Sequence, residues 1–265
     1  NKVLFNPIPN KNELIDKIKS FSFNDLPNKD FTNTSVDRLL YDKTFTNDNE
    51  FIGNVNMGYA PNSRQGEYTD DIKTVYVDMR WNEVENKKGI YMWENWEKET
   101  RWKYIKSKGY NVIFRLILDE PSDRKHSDLP EYLTTSDYGE YYSNEYGKGF
   151  TPYYDNQEII DNYKKFVNAF IDTYLNSSDN IISSIQIGII GNWGEFHIHP
   201  SLPKLPSSSV LKEYLLPFVA NTTNIEYMFR RPFKFIEEFQ TDYPNNTYGV
   251  FNDMIGDKTD TEEWL

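Results

Sequence analysis

From residue 51 onward the chain repeats one unit, a short and nearly continuous apolar run followed by a stretch with helical spacing. The runs are 51–57, 74–79, 111–117, 181–190, 225–229 and 248–251. Runs that are apolar at successive positions suit strands covered on both faces, as in a parallel sheet. Between them, 157–175 sets Ile160, Tyr163, Phe166, Val167, Phe170, Ile171 and Tyr174 on one helical face. Asp155 or Asn156 can cap that helix, with Glu158 standing where a capping-box acid would. A second helix is expected over 207–216, from a serine cap to a stop at Pro217, and a third over 93–106, carrying Trp96, Trp102 and Ile105. Strand then helix, repeated, predicts an α/β fold built from βα units.

Six such strands can be counted, whereas a (β/α)8 TIM barrel closes with eight. An open barrel would leave sheet edges and core exposed. The expectation is therefore a TIM barrel that is incomplete in this chain, over residues 51–265, with an open α/β sheet as the alternative. Residues 1–50 are polar, rich in Asn and Asp, and carry one short helical pattern at Asn12 to Ser20. They form a separate N-terminal segment that could wrap the barrel.

Charge narrows the partners. With 41 acidic against 29 basic residues the net charge is −12, which repels nucleic acid phosphates and anionic membrane surfaces. The lysine pairs at 87–88 and 164–165 are too small to override it, so no nucleic acid partner is expected. The absence of cysteine excludes disulfides and thiolate metal sites and fits secretion by a bacterium, so an extracellular or cell-surface location is expected. No apolar run reaches about 18 residues, so no membrane span is expected. The opening residues do not read as a signal peptide; if one existed, it has been removed. No cofactor is called for, and oligomeric state is left open. Aromatic residues make up 16% of the chain, which suits either stacking on sugar rings or a plain core.

In a barrel the chemistry sits at the C-terminal ends of the strands. Those ends read Asp78-Met79-Arg80-Trp81-Asn82-Glu83, then Arg115 with Asp119-Glu120, then 191–199, Arg230-Arg231, and Asn252-Asp253. The sharpest candidate is Glu195, in Gly191-Asn192-Trp193-Gly194-Glu195-Phe196-His197, a carboxylate beside an indole. Apolar surroundings raise a carboxyl pKa, as a general acid for glycosidic cleavage requires. The alternative is that Glu195 simply pairs with Arg115 or Arg230. Glycoside cleavage uses two carboxylates, about 5–5.5 Å apart for retention or about 6.5–9.5 Å for inversion. Asp253 is the favoured second carboxylate, ahead of Asp119, Glu120 and Asp78, although it could be an ordinary loop residue. Arg80, Trp81, Arg115, Trp193, His197 and Arg230 are the candidate substrate contacts. The arginines could bind an acidic sugar, or merely orient the carboxylates and satisfy buried charge. Glu195, His197 and His199 would share one face only if the segment were extended, which is the basis of a weaker metal-site reading.

The segment Val77-Asp78-Met79-Arg80-Trp81-Asn82-Glu83-Val84-Glu85, followed by Lys88-Gly89-Ile90-Tyr91-Met92-Trp93, resembles the second-strand signature of TIM-barrel glycosidases, with Asn86 in place of the usual proline. The segments Val112–Arg115 and Ile185–His197 resemble a bacterial group of glycoside hydrolases of uncharacterised function, often secreted and multidomain, and Asn56-Met57-Gly58-Tyr59 resembles its first-strand opening. The resemblance implies that Glu195 corresponds to the fourth-strand glutamate, the acid/base of retaining barrel enzymes, although the usual Asn-Glu pair is Gly-Glu here. It does not identify the sugar. A glycoside hydrolase acting on a polysaccharide or glycoconjugate leads, followed by a non-catalytic carbohydrate-binding or adhesion barrel, and then a metal-dependent hydrolase.

Overall fold

A computed structural model describes residues 59–65, 68, 72–230 and 233–251. The N-terminal segment 1–50, the apolar run at 51–57 and the candidate Asp253 lie outside the described residues. The other five expected strands form one sheet: β1 Thr74–Arg80, β2 Asn111–Ile117, β3 Ile182–Gln186, β4 Glu226–Phe229 and β5 Thr247–Val250. Their order in the sheet is their order in the chain, and every neighbouring pair is parallel. Among the described residues the sheet is wound in one direction, without the reversal that makes a topological switch point in doubly wound sheets.

Register places Asp78 beside Arg115, Arg115 beside Gln186, and Gln186 beside Met228. Because side chains alternate along a strand, the sheet has two unlike faces. One carries Val75, Val77, Met79, Val112, Phe114, Leu116, Ile185, Tyr227 and Phe229, all buried. Helices cover it, with the Phe114 ring stacked on Phe170 at 4.5 Å. The other face carries Tyr76, Asp78, Arg80, Ile113, Arg115, Ile117, Ser184, Gln186, Glu226 and Met228. The expectation of strands apolar on both sides is corrected here, since the second face is largely polar.

The helices also depart from the sequence reading. The stretch expected as one helix over 93–106 is two, α1 Trp93–Glu99 and α2 Trp102–Ser107, broken where Arg101 takes φ 60°. The break brings Trp96 and Trp102 to 5.2 Å, and both are buried. Helix α3, Gln157–Phe170, is capped by Asn156, whose side chain accepts the N–H groups of Glu158 and Ile159. The Glu158 carboxylate turns outward to Tyr138 and Lys88 and closes no capping box. The chain then widens into a π turn over Ile171–Leu175. Helix α4, Ser208–Asn221, runs through Pro217 where a stop was expected. Its last turns carry buried Phe218 and Val219, and burying them outweighs the one N–H that proline lacks. Helix α5 is Phe235–Asp242.

Between β2 and α3 the chain inserts an antiparallel hairpin, Gly139–Asn144 with Gly147–Pro152. The sequence reading contained no such element.

Candidate functional site

The segment after β3 builds the site. Four of its residues take left-handed backbone angles: Gly191 (φ 82°), Trp193 (φ 54°), Gly194 (φ 69°) and Phe196 (φ 56°). Glycine adopts such angles without a steric penalty, but Trp193 and Phe196 do not. Strain of this kind persists only where the surroundings over-determine it. Here they do, because the six consecutive N–H groups of 191–196 all have acceptors. Gly191 donates to the Tyr154 hydroxyl, Asn192 to the His197 carbonyl, and Trp193 to the Asp119 carbonyl. Gly194, Glu195 and Phe196 donate to the carbonyls of Gly191, Asn192 and Ile190.

The loop delivers Glu195 to the C-terminal end of the sheet, on its polar side. One carboxylate oxygen lies 3.9 Å from Arg115 Nη2, and the other lies 3.8 Å from Arg230 Nη2 and 3.9 Å from His197 Nδ1. Arg115 comes from β2 and Arg230 directly follows β4, so strands on either side of β3 close on one carboxylate. The two arginine contacts are ion pairs, His197 makes a third only when protonated, and all three distances are too long for direct hydrogen bonds. The apolar neighbourhood expected for Glu195 is thus a largely cationic one. Arg115 is itself fixed, donating to the Trp193 carbonyl at 2.6 Å with its guanidinium 5.1 Å from the centre of the Phe251 ring. Tyr76 lies beside it, and burial pushes that phenol up while the Arg115 charge pulls it down.

Trp193 faces the hairpin turn. Its ring is 5.0 Å from Tyr146 and 5.9 Å from His197. Tyr146 also sets its edge against His197 and His199. His199 bonds Glu145 at 2.9 Å and Ser201 at 2.7 Å. The 3-10 turn over Asn192–Gly194 and the left-handed Phe196 mean that the segment is not extended. The alignment that the metal-site reading needed is therefore not adopted, and among the described residues no group of three His, Asp or Glu side chains is placed to hold a metal ion.

Two expected contacts sit elsewhere. Trp81 is fully buried, stacked on Phe166 at 5.3 Å, and its Nε1 donates to Glu85 at 2.6 Å. It is a core residue and presents no surface to a ligand, which corrects its assignment as a substrate contact. Arg80 is held between Asp78 and Glu120, and Arg64 bridges Asp78 and Glu83. This lattice ties the end of β1 to its neighbours and occupies Asp78 and Glu120, two of the three carboxylates that competed with Asp253.

Asp119 is the residue the sequence undervalued. Its carboxyl is 1% exposed, and burial pushes it up to about 7, with the Tyr142 hydrogen bond pulling down and the Asp128 charge pushing up. Tyr142 donates to Oδ1 at 2.6 Å and Asn192 to Oδ2 at 2.9 Å. Neither Tyr142, Tyr146 nor Asn192 was a sequence candidate. The signal that could have found the tyrosines is Asn144-Glu145-Tyr146-Gly147, a turn between two short strand-like stretches.

No helix among the described residues is long and apolar enough to cross a membrane. No family model matches the chain, and no curated protein does. Among solved structures, a similar one is endoglycoceramidase II from Rhodococcus sp. as its lactosyl-enzyme intermediate, at TM-score 0.40 and 14% identity, over 59% of this chain and 41% of that one. A likeness this slight, spanning less than half of that enzyme, says nothing about chemistry.

Proposed function

We propose that the protein is a glycoside hydrolase with Glu195 at its reacting centre, and that the five-stranded sheet is part of a (β/α)8 barrel. The observation that carries this reading is the position of Glu195 between the guanidinium groups of Arg115 on β2 and Arg230 just after β4, at the C-terminal ends of a singly wound parallel sheet. That rim is where barrel enzymes assemble their sites. A carboxylate held there can protonate a leaving oxygen or attack an anomeric carbon, and the second carboxylate decides which. Asp253 keeps that second role in the proposal. Arg115 and Arg230 orient Glu195, Trp193 and Tyr146 offer ring faces to a sugar, and His197 reaches a hydroxyl. The substrate is a polysaccharide or glycoconjugate, met outside the cell.

The test is a glycan hydrolysis screen of the protein beside Glu195→Gln, read by mass spectrometry. Cleavage by the parent and not by the variant supports the reading, and equal cleavage by both removes Glu195 from the mechanism.

One observation favours a second reading, a carbohydrate-binding barrel without catalysis. The ion pairs of Asp78, Glu83 and Glu120 are with Arg64 and Arg80, not with the arginines that hold Glu195, and Asp119 is buried, so none of the four shares the Glu195 cluster. Glycan binding by the protein without any cleavage would select it.

A further inference from the structure

Three segments far apart in the chain meet at the Asp119 carboxyl. Asp119 follows β2, Tyr142 belongs to the inserted hairpin, and Asn192 opens the Glu195 loop. The side-chain amide of Asn192 has only one possible orientation. Its Oδ1 takes the backbone N–H of His199 at 2.9 Å, and a backbone N–H can only donate. Its Nδ2 therefore faces Asp119 Oδ2 at 2.9 Å and the Tyr142 hydroxyl at 3.3 Å. Tyr142 accepts there and donates onward to Asp119 Oδ1 at 2.6 Å. The three groups close a ring in which every donor has an acceptor, provided that Asp119 accepts at both oxygens. The Asp119 main chain adds a second tie, its carbonyl taking the Trp193 N–H at 2.7 Å. One residue thus holds 192 and 193 directly, and 199 through Asn192.

We propose that Asp119 is a positioning residue for Glu195, its carboxylate fixing through Asn192 the strained loop that carries the Glu195 side chain. The consequence for catalysis rests on the reading of Glu195 as the reacting carboxylate, whereas the anchoring does not. Left-handed Trp193 and Phe196 need such an anchor, because they relax once the surroundings cease to impose their angles. Protonating Asp119 at Oδ1 leaves Oδ2 to take the Asn192 amide but removes the acceptor of the Tyr142 hydroxyl, and so opens the ring that holds Asn192. The titratable groups facing Asp119 are Tyr142 from the hairpin, Tyr154 beyond it, and Asp128 and His126 from the segment after β2.

The experiment is fluorine NMR of the full chain labelled with 5-fluorotryptophan, titrated from about pH 5.5 to 8.5. The Trp193 resonance is assigned by its loss in Trp193→Phe. The expected result is one sharp Trp193 signal that shifts near neutrality in the parent and in Glu195→Gln, and that broadens or splits without that inflection in Asp119→Asn. Asn192→Ala is expected to disturb the same signal, and it carries the test if Asp119→Asn loses the dispersion of all its tryptophans. A Trp193 signal unchanged in both variants overturns the anchoring. Where the glycan screen finds cleavage, Asp119→Asn is expected to lower kcat by about a hundredfold with KM little changed. Cleavage lost in Glu195→Gln but intact in Asp119→Asn overturns the positioning role and leaves the glycosidase reading standing. An anchored loop in a protein that cleaves nothing supports the anchoring and removes the glycosidase reading.

Discussion

Gly194 stands against Gly188 so closely that a β-carbon on Gly194 would lie 1.7 Å from the Gly188 carbonyl oxygen. The contact joins the Glu195 loop to the stretch leaving β3, and a β-carbon on Gly188 would in turn press on Arg115 at 2.6 Å. Both sides of the first contact are backbone, so nothing can rotate away.

Gly194→Ala is therefore expected to displace the loop. Overpacking and a left-handed alanine together cost about 2–4 kcal/mol. Urea unfolding of variant and parent measures it, and matching midpoints would show that the loop has more room than its geometry allows.

Trp193 reverses an ordinary expectation. Within regular structure alanine is more stable than glycine, but residue 193 has φ 54° and ψ 10°. Trp193→Gly and Trp193→Ala both lose the ring contacts with Tyr146 and His197, so comparing the two isolates the backbone. The glycine variant is expected to be the more stable, by about 1 kcal/mol. Calorimetry that ranked alanine above glycine would remove the strain from the account of this loop.

What was legible in the sequence follows from what is local. Strands β1 and β2 were readable because Thr74–Met79 and Asn111–Ile117 are short, strongly patterned runs. The position of Glu195 beyond the C-terminal end of β3 was readable because its segment directly follows the apolar run at 181–190. The break at Arg101 was not, since no glycine or proline marks it and only the burial of Trp96 and Trp102 requires it. Pro217 misled for the converse reason, a local stop signal overruled by the apolar face of α4. The Asp119 junction joins residues 73 and 23 positions apart, which no spacing rule reaches.

Asp119 makes stability depend on pH in an unusual direction for a carboxyl group. Its folded pKa of about 7 lies above the ordinary 3.8, so between those values the folded protein binds the proton that the unfolded chain has released. Its contribution to stability is full below about pH 4, declines as pH rises to about 7, and is flat beyond, a total of about 4 kcal/mol. Asp119→Asn cannot titrate. Relative to the parent, the variant should gain stability steadily from about pH 4 to 7, as followed by urea unfolding across that range. A difference between the two that ignores pH would mean that Asp119 is ionised throughout. Positioning and stability then pull in opposite directions at this residue, because the ionised form that accepts from both Tyr142 and Asn192 is also the form that burial penalises.

Trp81 and Trp193 share a residue type and a place in the sequence argument, but their substitutions should separate cleanly. Trp81 Nε1 is one of three donors to Glu85, with the Gly89 N–H at 2.6 Å and the Tyr132 hydroxyl at 2.9 Å, and Glu85 is buried. Trp81→Phe removes a donor from a buried carboxylate and leaves a small void beside Phe166, at a cost of about 1–3 kcal/mol. Because Trp81 has no exposed surface, the glycan affinity of the folded fraction should be unchanged, as measured by titration calorimetry. Trp193→Phe keeps a ring but narrows the face presented beside Tyr146, so its affinity should fall while its stability stays near the parent's. If Trp81→Phe weakened binding with no loss of stability, Trp81 would belong to the site, and the boundary between core and rim at the end of β1 would have to be redrawn.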